Sequence, residues 1–149
     1  MPPTLLGESL IQAGLINSEG LRLALMEQQD SKEKLGVILI SMGYITADTL
    51  IGFLAKQPES TASNFIKEAI ENTQIPFFLK ELSYKFQLLP IGFKKVGENY
   101  KLIVAMSNPS HSELVEQCMF SSGCEVEPVF AQEENLKRLL QYHPYLKKK

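Results

Sequence analysis

The chain has 149 residues, a formal net charge of −2, 44% apolar and 21% charged residues. That length suits one ordinary domain or two small ones sharing an interface, and the composition excludes a disordered chain. A near-neutral chain whose only dense basic run is Lys147–Lys148–Lys149 also lacks the electrostatic footprint of a nucleic-acid groove.

No apolar run reaches the ~18 to 20 residues that cross a bilayer, so membrane insertion is not expected. The start, "MPPTLLGESL", has neither the basic flank nor the apolar block of a secretory signal, and the expected location is the cytoplasm. Cys118 and Cys124 are the only cysteines. Their spacing, without nearby histidines, fits neither a disulfide framework nor a zinc site, and they read as ordinary thiols.

Residues 1–57 read as four short helices built from one pattern written twice. "LLGESLIQAGLINSEGLRLALMEQ" runs from Leu5 to Gln28, and "KLGVILISMGYITADTLIGFLAKQ" from Lys34 to Gln57. The step between copies is 29 residues, from Gly7 to Gly36 and again from Gln28 to Gln57. Leu6/Leu10 and Leu21/Leu25 stand four apart, as do Leu35/Leu39 and Leu50/Leu54, so each pair shares a helical face. Gly14 and Gly43 fall where each first helix should stop, supplying a left-handed residue without a Cβ clash. Asn17 and Thr46 then cap each second helix.

The segment "PESTASNF" reads as a break, with Pro58 ending the fourth helix and a further helix over residues 65–72. Pro76 opens another short helix to about residue 84. Residues 58–85 therefore form a helical connector. From Phe86 the texture becomes β-prone: "FQLLPIGF" and "YKLIVAM" flank the turn-like "KVGEN" and read as a hairpin. A loop and helix over "SNPSHSELVEQCMFSSG", a strand in "EVEPVFA" and a last helix in "QEENLKRLLQYH" follow. A fourth strand could hide near "IPFFL". The expected fold class is α+β: a bundle of two tandem helical hairpins, then, over 86–149, a small antiparallel sheet packed with helices.

Catalytic machinery is absent from the pattern: no phosphate loop, no G-x-G-x-x-G and no G-x-S-x-G occurs. His111 and His143 lack the neighbours of a metal pair or an activated nucleophile. Scattered acidic residues suit solvated helix faces, so no enzyme, cofactor or metal is expected. Helix packing alone explains the repeated leucines. It does not explain Gly7 and Gly36 at helix starts, where glycine is a poor helix former. There a missing side chain admits a ligand to backbone N–H groups, and a helix start suits a phosphate. Gln28 and Gln57, three residues past Leu25 and Leu54, can both donate and accept hydrogen bonds. Two such half-sites fit a ligand that is itself two-fold.

The tandem pattern, with "YKLIVAMSNP", "SSGCEVEPVFA" and "NLKRLLQYH" behind it, resembles the N-terminal domain of type II secretion and type IV pilus assembly ATPases, the MshEN or GspE N-terminal domain. The resemblance covers nearly the whole chain and implies cyclic di-GMP as ligand. Leu6, Leu21, Leu25, Leu35, Leu50 and Leu54 would then contact bases and ribose, with Leu10 and Leu39 on the same stripes. Gly7 and Gly36 would admit the phosphates, and Gln28 and Gln57 would supply polar contacts at the motif ends. The family motif opens with Arg; Leu5 and Lys34 stand at those positions here. Leucine cannot make the bidentate contact to guanine, and lysine keeps the charge but not the planar fork. Asn108–Pro109 replaces the family's Asp–Pro after the second strand. The implied partners are secretion or pilus platform proteins at the inner membrane and an ATPase motor domain. A ligand-free module that docks such an ATPase onto its platform is the rival implication.

Overall fold

The computed structural model describes residues 5–69 and 86–141. Among them are seven helices and three strands, in the order α1 Leu5–Gln12, α2 Ser18–Ser31, α3 Leu35–Ser41, α4 Ala47–Ala55, α5 Glu59–Ala69, β1 Leu89–Val96, β2 Asn99–Met106, α6 Ser112–Ser122, β3 Glu125–Phe130 and α7 Glu133–Leu140. The expectations of a helix from Pro76, a strand in "IPFFL", the end of the 65–72 helix and the placing of His143 lie outside the described residues.

The α+β class holds, with three differences from expectation. First, α5 begins at Glu59, six residues early, so "PESTA" is a first helical turn and not a loop. Pro58 supplies the carbonyl that accepts from Ala62 N–H at 2.7 Å. Proline costs nothing at the mouth of a helix, where its N–H would be unpaired anyway. Burial of Ala62 and Phe65 on one face then outweighs the loop propensity of Ser60, Thr61, Ser63 and Asn64 around them.

Second, the sheet is mixed. β1 and β2 pair antiparallel through a two-residue turn at Gly97–Glu98, where Gly97 takes φ +63°. β3 runs parallel to β2. The eleven-residue α6 lies between them and carries the chain back along the sheet, so β3 starts from the same end as β2. Third, β1 carries a bulge: Pro90 faces Val104 and Gly92 faces Ile103, leaving Ile91 as the extra residue. Both outer strands contain a proline, Pro90 in β1 and Pro128 in β3, which blunts edges that could pair with another chain.

The buried run Leu102–Met106 is continuous because both faces of β2 are covered. Ile103 and Ala105 face the larger core with Leu89, Ile91, the helices of the repeats and Leu136, Leu139 and Leu140 of α7. Leu102, Val104 and Met106 face the smaller core, where Leu114 and Cys118 of α6 meet Val126 of β3. Period-two alternation thus assigns successive β2 residues to two different cores.

Candidate functional site

The two repeats fold alike. Gly14 and Gly43 take φ +78° and +82°. In each, the residue after the glycine donates five residues back, Leu15 N–H to Leu10 O and Tyr44 N–H to Leu39 O, both at 3.0 Å, closing the helix end as a Schellman motif. Asn17 Oδ1 accepts from Gly20 N–H at 2.7 Å, and Thr46 Oγ1 from Thr49 N–H at 3.1 Å, capping α2 and α4. Tyr44 of the second copy packs over Gly20 of the first: a Cβ on Gly20 would lie 3.3 Å from its ring.

The leucines of both copies are brought together, but as core. Leu6, Leu10, Leu35, Leu39, Leu50 and Leu54 have no exposure, Leu21 is buried and Leu25 half-buried against them. Gly7 is the third residue of α1 and Gly36 the second of α3, and both are buried. What reaches solvent is the rim. Leu5, at the first Arg position, is 54% exposed. Lys34, at the second, is half-buried and is the N-cap of α3 without a side-chain cap bond.

Gln28 and Gln57 are both half-buried, and both amides donate to backbone carbonyls: Gln28 Nε2 to Glu33 O at 3.1 Å and Gln57 Nε2 to Phe53 O at 3.2 Å. Their amide oxygens accept no bond from any described residue. Asn108 is exposed in the loop after β2, where its Oδ1 accepts from Ser110 Oγ at 3.2 Å. The same loop ends on His111, whose Nδ1 accepts from Leu114 N–H at 3.1 Å and caps α6. No described hydrogen bond joins Asn108 to the repeats.

Arg22 does not replace the missing Arg. It pairs with Glu19 on the solvent face of α2 and donates to Met26 Sδ. The hydrogen bond from Arg22, then its charge, hold the Glu19 carboxyl below the usual carboxylate range, and the reverse pairing raises the guanidinium. Among the described residues, no group of His, Cys, Asp and Glu is gathered to hold a metal. No described helix is long and apolar enough to cross a membrane.

Two side chains that sequence reasoning missed tie the repeats to the sheet unit. Glu33 Oε2 accepts from Lys95 N–H at 2.6 Å, and Asp48 Oδ1 from Gln132 N–H at 3.0 Å. Their partners are 62 and 84 residues away, so no local signal could have named them. Two clefts lie against the second repeat. One of ≈ 580 Å³ lies between Ile40, Gly43, Ile45 and Asp48 of the second repeat and Val129 and Phe130 of β3. The other, ≈ 730 Å³, lies between Lys56 after α4 and Lys137, Arg138 and Gln141 of the final helical segment. Neither is lined by a residue predicted to bind ligand.

Residues 69–148 match the MshEN domain family. The chain is 32% identical over 136 residues to the type IV pilus assembly ATPase PilB of Myxococcus xanthus, across 91% of this chain and 23% of that protein. It is 32% identical over 122 residues to PilB of Thermus thermophilus, across 76% of this chain and 12% of that one. The chain thus spans less than a quarter of the length of these relatives. Among solved structures it is similar to MshE with cdg (TM-score 0.39, 24% identity, 94% of this chain and 99% of that one). It is also similar to the N-terminal domain of XpsE (TM-score 0.41, 11% identity, 93% and 92%). The family match covers more than half of this chain, including the whole described sheet with α6 and α7, while the tandem motif that carries the resemblance lies ahead of it. The chain belongs to the MshEN domain family.

Proposed function

We propose that this domain is a regulatory module of a secretion or pilus ATPase system that takes cyclic di-GMP across its two repeats. The observation that carries this reading is the equivalence of the copies. Schellman turn, cap and a half-buried terminal glutamine recur at one 29-residue step. A pseudo-two-fold pair of half-sites suits a ligand with two bases and two phosphates.

With the leucines closed into the core, their role is to set the helix starts and the rim. The ligand's polar contacts fall to Lys34, Gln28, Gln57 and Asn108, all of which reach the surface. Glutamine amides recognise base edges by donating and accepting at once. With Leu5 in place of one Arg and Lys34 in place of the other, the site lacks two bidentate contacts worth about 1–3 kcal/mol each, so binding is weak. Calorimetric titration with cyclic di-GMP tests this. Saturable heat at one ligand per chain, reduced in Gln57→Ala, is the expected result; no heat at high micromolar ligand refutes it.

A second reading keeps the domain as a docking module for the ATPase on its membrane platform, without nucleotide. The observation favouring it is Leu5, an exposed apolar residue where a nucleotide reader needs a cation. Capture of the platform's cytoplasmic domain by wild type and its loss in Leu5→Asp, with no nucleotide heat in either, would select this reading.

A further inference from the structure

The two motif-ending glutamines are placed alike in sequence but wired differently. Gln57 Nε2 returns to Phe53 O within its own helix. Gln28 Nε2 instead donates out of its helix to the main-chain oxygen of Glu33, at 3.1 Å, in the linker between the repeats. That linker residue is held on two further sides. Its N–H donates to Ser31 Oγ at 3.2 Å, and its carboxylate accepts from Lys95 N–H at 2.6 Å. Lys95 belongs to β1, an outer strand of the sheet. Its N–H points away from β2, and a side chain of the repeat unit takes the place a neighbouring strand would hold. The bond is charge-assisted and short, the strong end of the hydrogen-bond range.

We infer that Glu33 is a positioning residue that couples Gln28 of the first repeat to the outer edge of β1. Gln28 fixes the main chain of Glu33, and that placement decides whether the carboxylate reaches Lys95. A ligand that draws the Gln28 amide round to donate and accept at a base edge pulls Nε2 away from the Glu33 carbonyl. Occupation of the first half-site therefore loosens the hold on the β1 edge, and the second half-site has no such output. This deepens the cyclic di-GMP reading by giving the bound state a consequence at the sheet, and rests on that reading for the ligand alone. The wiring itself needs no ligand.

The experiment is amide hydrogen exchange at Lys95, followed by NMR on the full chain. An outward-facing edge amide is protected only by its own partner, so Lys95 reports Glu33 directly. Loss of a bond to a charged acceptor should speed exchange by about tenfold or more. Glu33→Ala should show that increase, while Glu33→Gln, which keeps an acceptor oxygen, should restore much of the protection. Gln28→Ala should speed Lys95 exchange several-fold although it touches neither Glu33 Oε2 nor Lys95, and Gln57→Ala should leave it unchanged. Equal Lys95 rates in Gln28→Ala and Gln57→Ala would overturn the coupling, as would an unchanged rate in Glu33→Ala. With cyclic di-GMP at saturation, wild-type Lys95 should exchange faster, and a slowed or unchanged rate in ligand-bound protein would also overturn it. If no cyclic di-GMP binds, the nucleotide reading fails by itself, and the ligand-free comparison of the two glutamine variants still decides the coupling.

Discussion

Restoring the first Arg should convert a weak nucleotide site into a tighter one. Leu5 opens α1 and is 54% exposed, so Leu5→Arg removes only a partly buried side chain. Full burial of a leucine is worth about 1.5–3 kcal/mol, so losing roughly half of that costs about 1 kcal/mol of stability. A cation at a helix N-terminus adds about 0.3–1 kcal/mol of cost. Folding should survive a loss of roughly 1–2 kcal/mol against a typical total of about 5–15 kcal/mol. On the binding side, one bidentate guanine contact contributes about 1–3 kcal/mol, which is about 5- to 150-fold in dissociation constant. Lys34→Arg changes less, since the charge is already present and only the fork is gained. Calorimetry of wild type, each single variant and the double variant measures these steps, with thermal melts confirming the fold. Tightening in Leu5→Arg that grows in the double variant supports the reading. If the double variant binds no better than wild type while remaining folded, the residues of the tandem motif do not meet guanine.

Two helical glycines should respond in opposite directions to alanine. At Gly52 a new Cβ would meet only Asn135 Nδ2 at 3.4 Å, an ordinary contact, so Gly52→Ala should gain about 0.5–1 kcal/mol from helix propensity. At Gly20 the Cβ would lie 3.2 Å from Asn17 Oδ1, which is held by its cap bond, and 3.3 Å from Tyr44. Gly20→Ala should therefore lose about 1 kcal/mol despite the same propensity gain, and denaturant melts read both signs. Cys118 is buried on the inner face of α6, and burial pushes its thiol up to about 11. It should react with a thiol reagent only on opening of the fold, at about pH 8, while Cys124 reacts sooner. Because the unfolded thiol ionises at lower pH than the folded one, the unfolded chain binds fewer protons there. Stability should thus fall as pH rises from about 9 to about 11, more steeply in wild type than in Cys118→Ala.

The helical hairpins were legible because their signals are local. Leucines four apart set a face, Gly14 and Gly43 adopt the left-handed turn that only glycine takes cheaply, and Asn17 and Thr46 cap within three residues of themselves. The β-hairpin was legible for the same reason, from apolar runs and Gly97. The start of α5 was not, since a polar stretch after proline reads as loop until Ala62 and Phe65 find a core to enter. Nor was the direction of β3, which is set by where α6 delivers the chain and by pairing with β2, well upstream in the sequence.

The amino-acid order by itself determined two equivalent copies, their ends and the face each helix would bury. Only tertiary structure decided what covers that face: the leucines read as contacts to a ligand are closed into one core that α5, β1, β2 and α7 share. Periodicity states which side of a helix is apolar and is silent on whether a nucleotide or a sheet will lie there. Glu33 and Asp48 make the same point for polar groups. Each is an ordinary surface carboxylate in sequence, and each becomes a joint between the two halves because folding brings a backbone N–H from far along the chain within its reach.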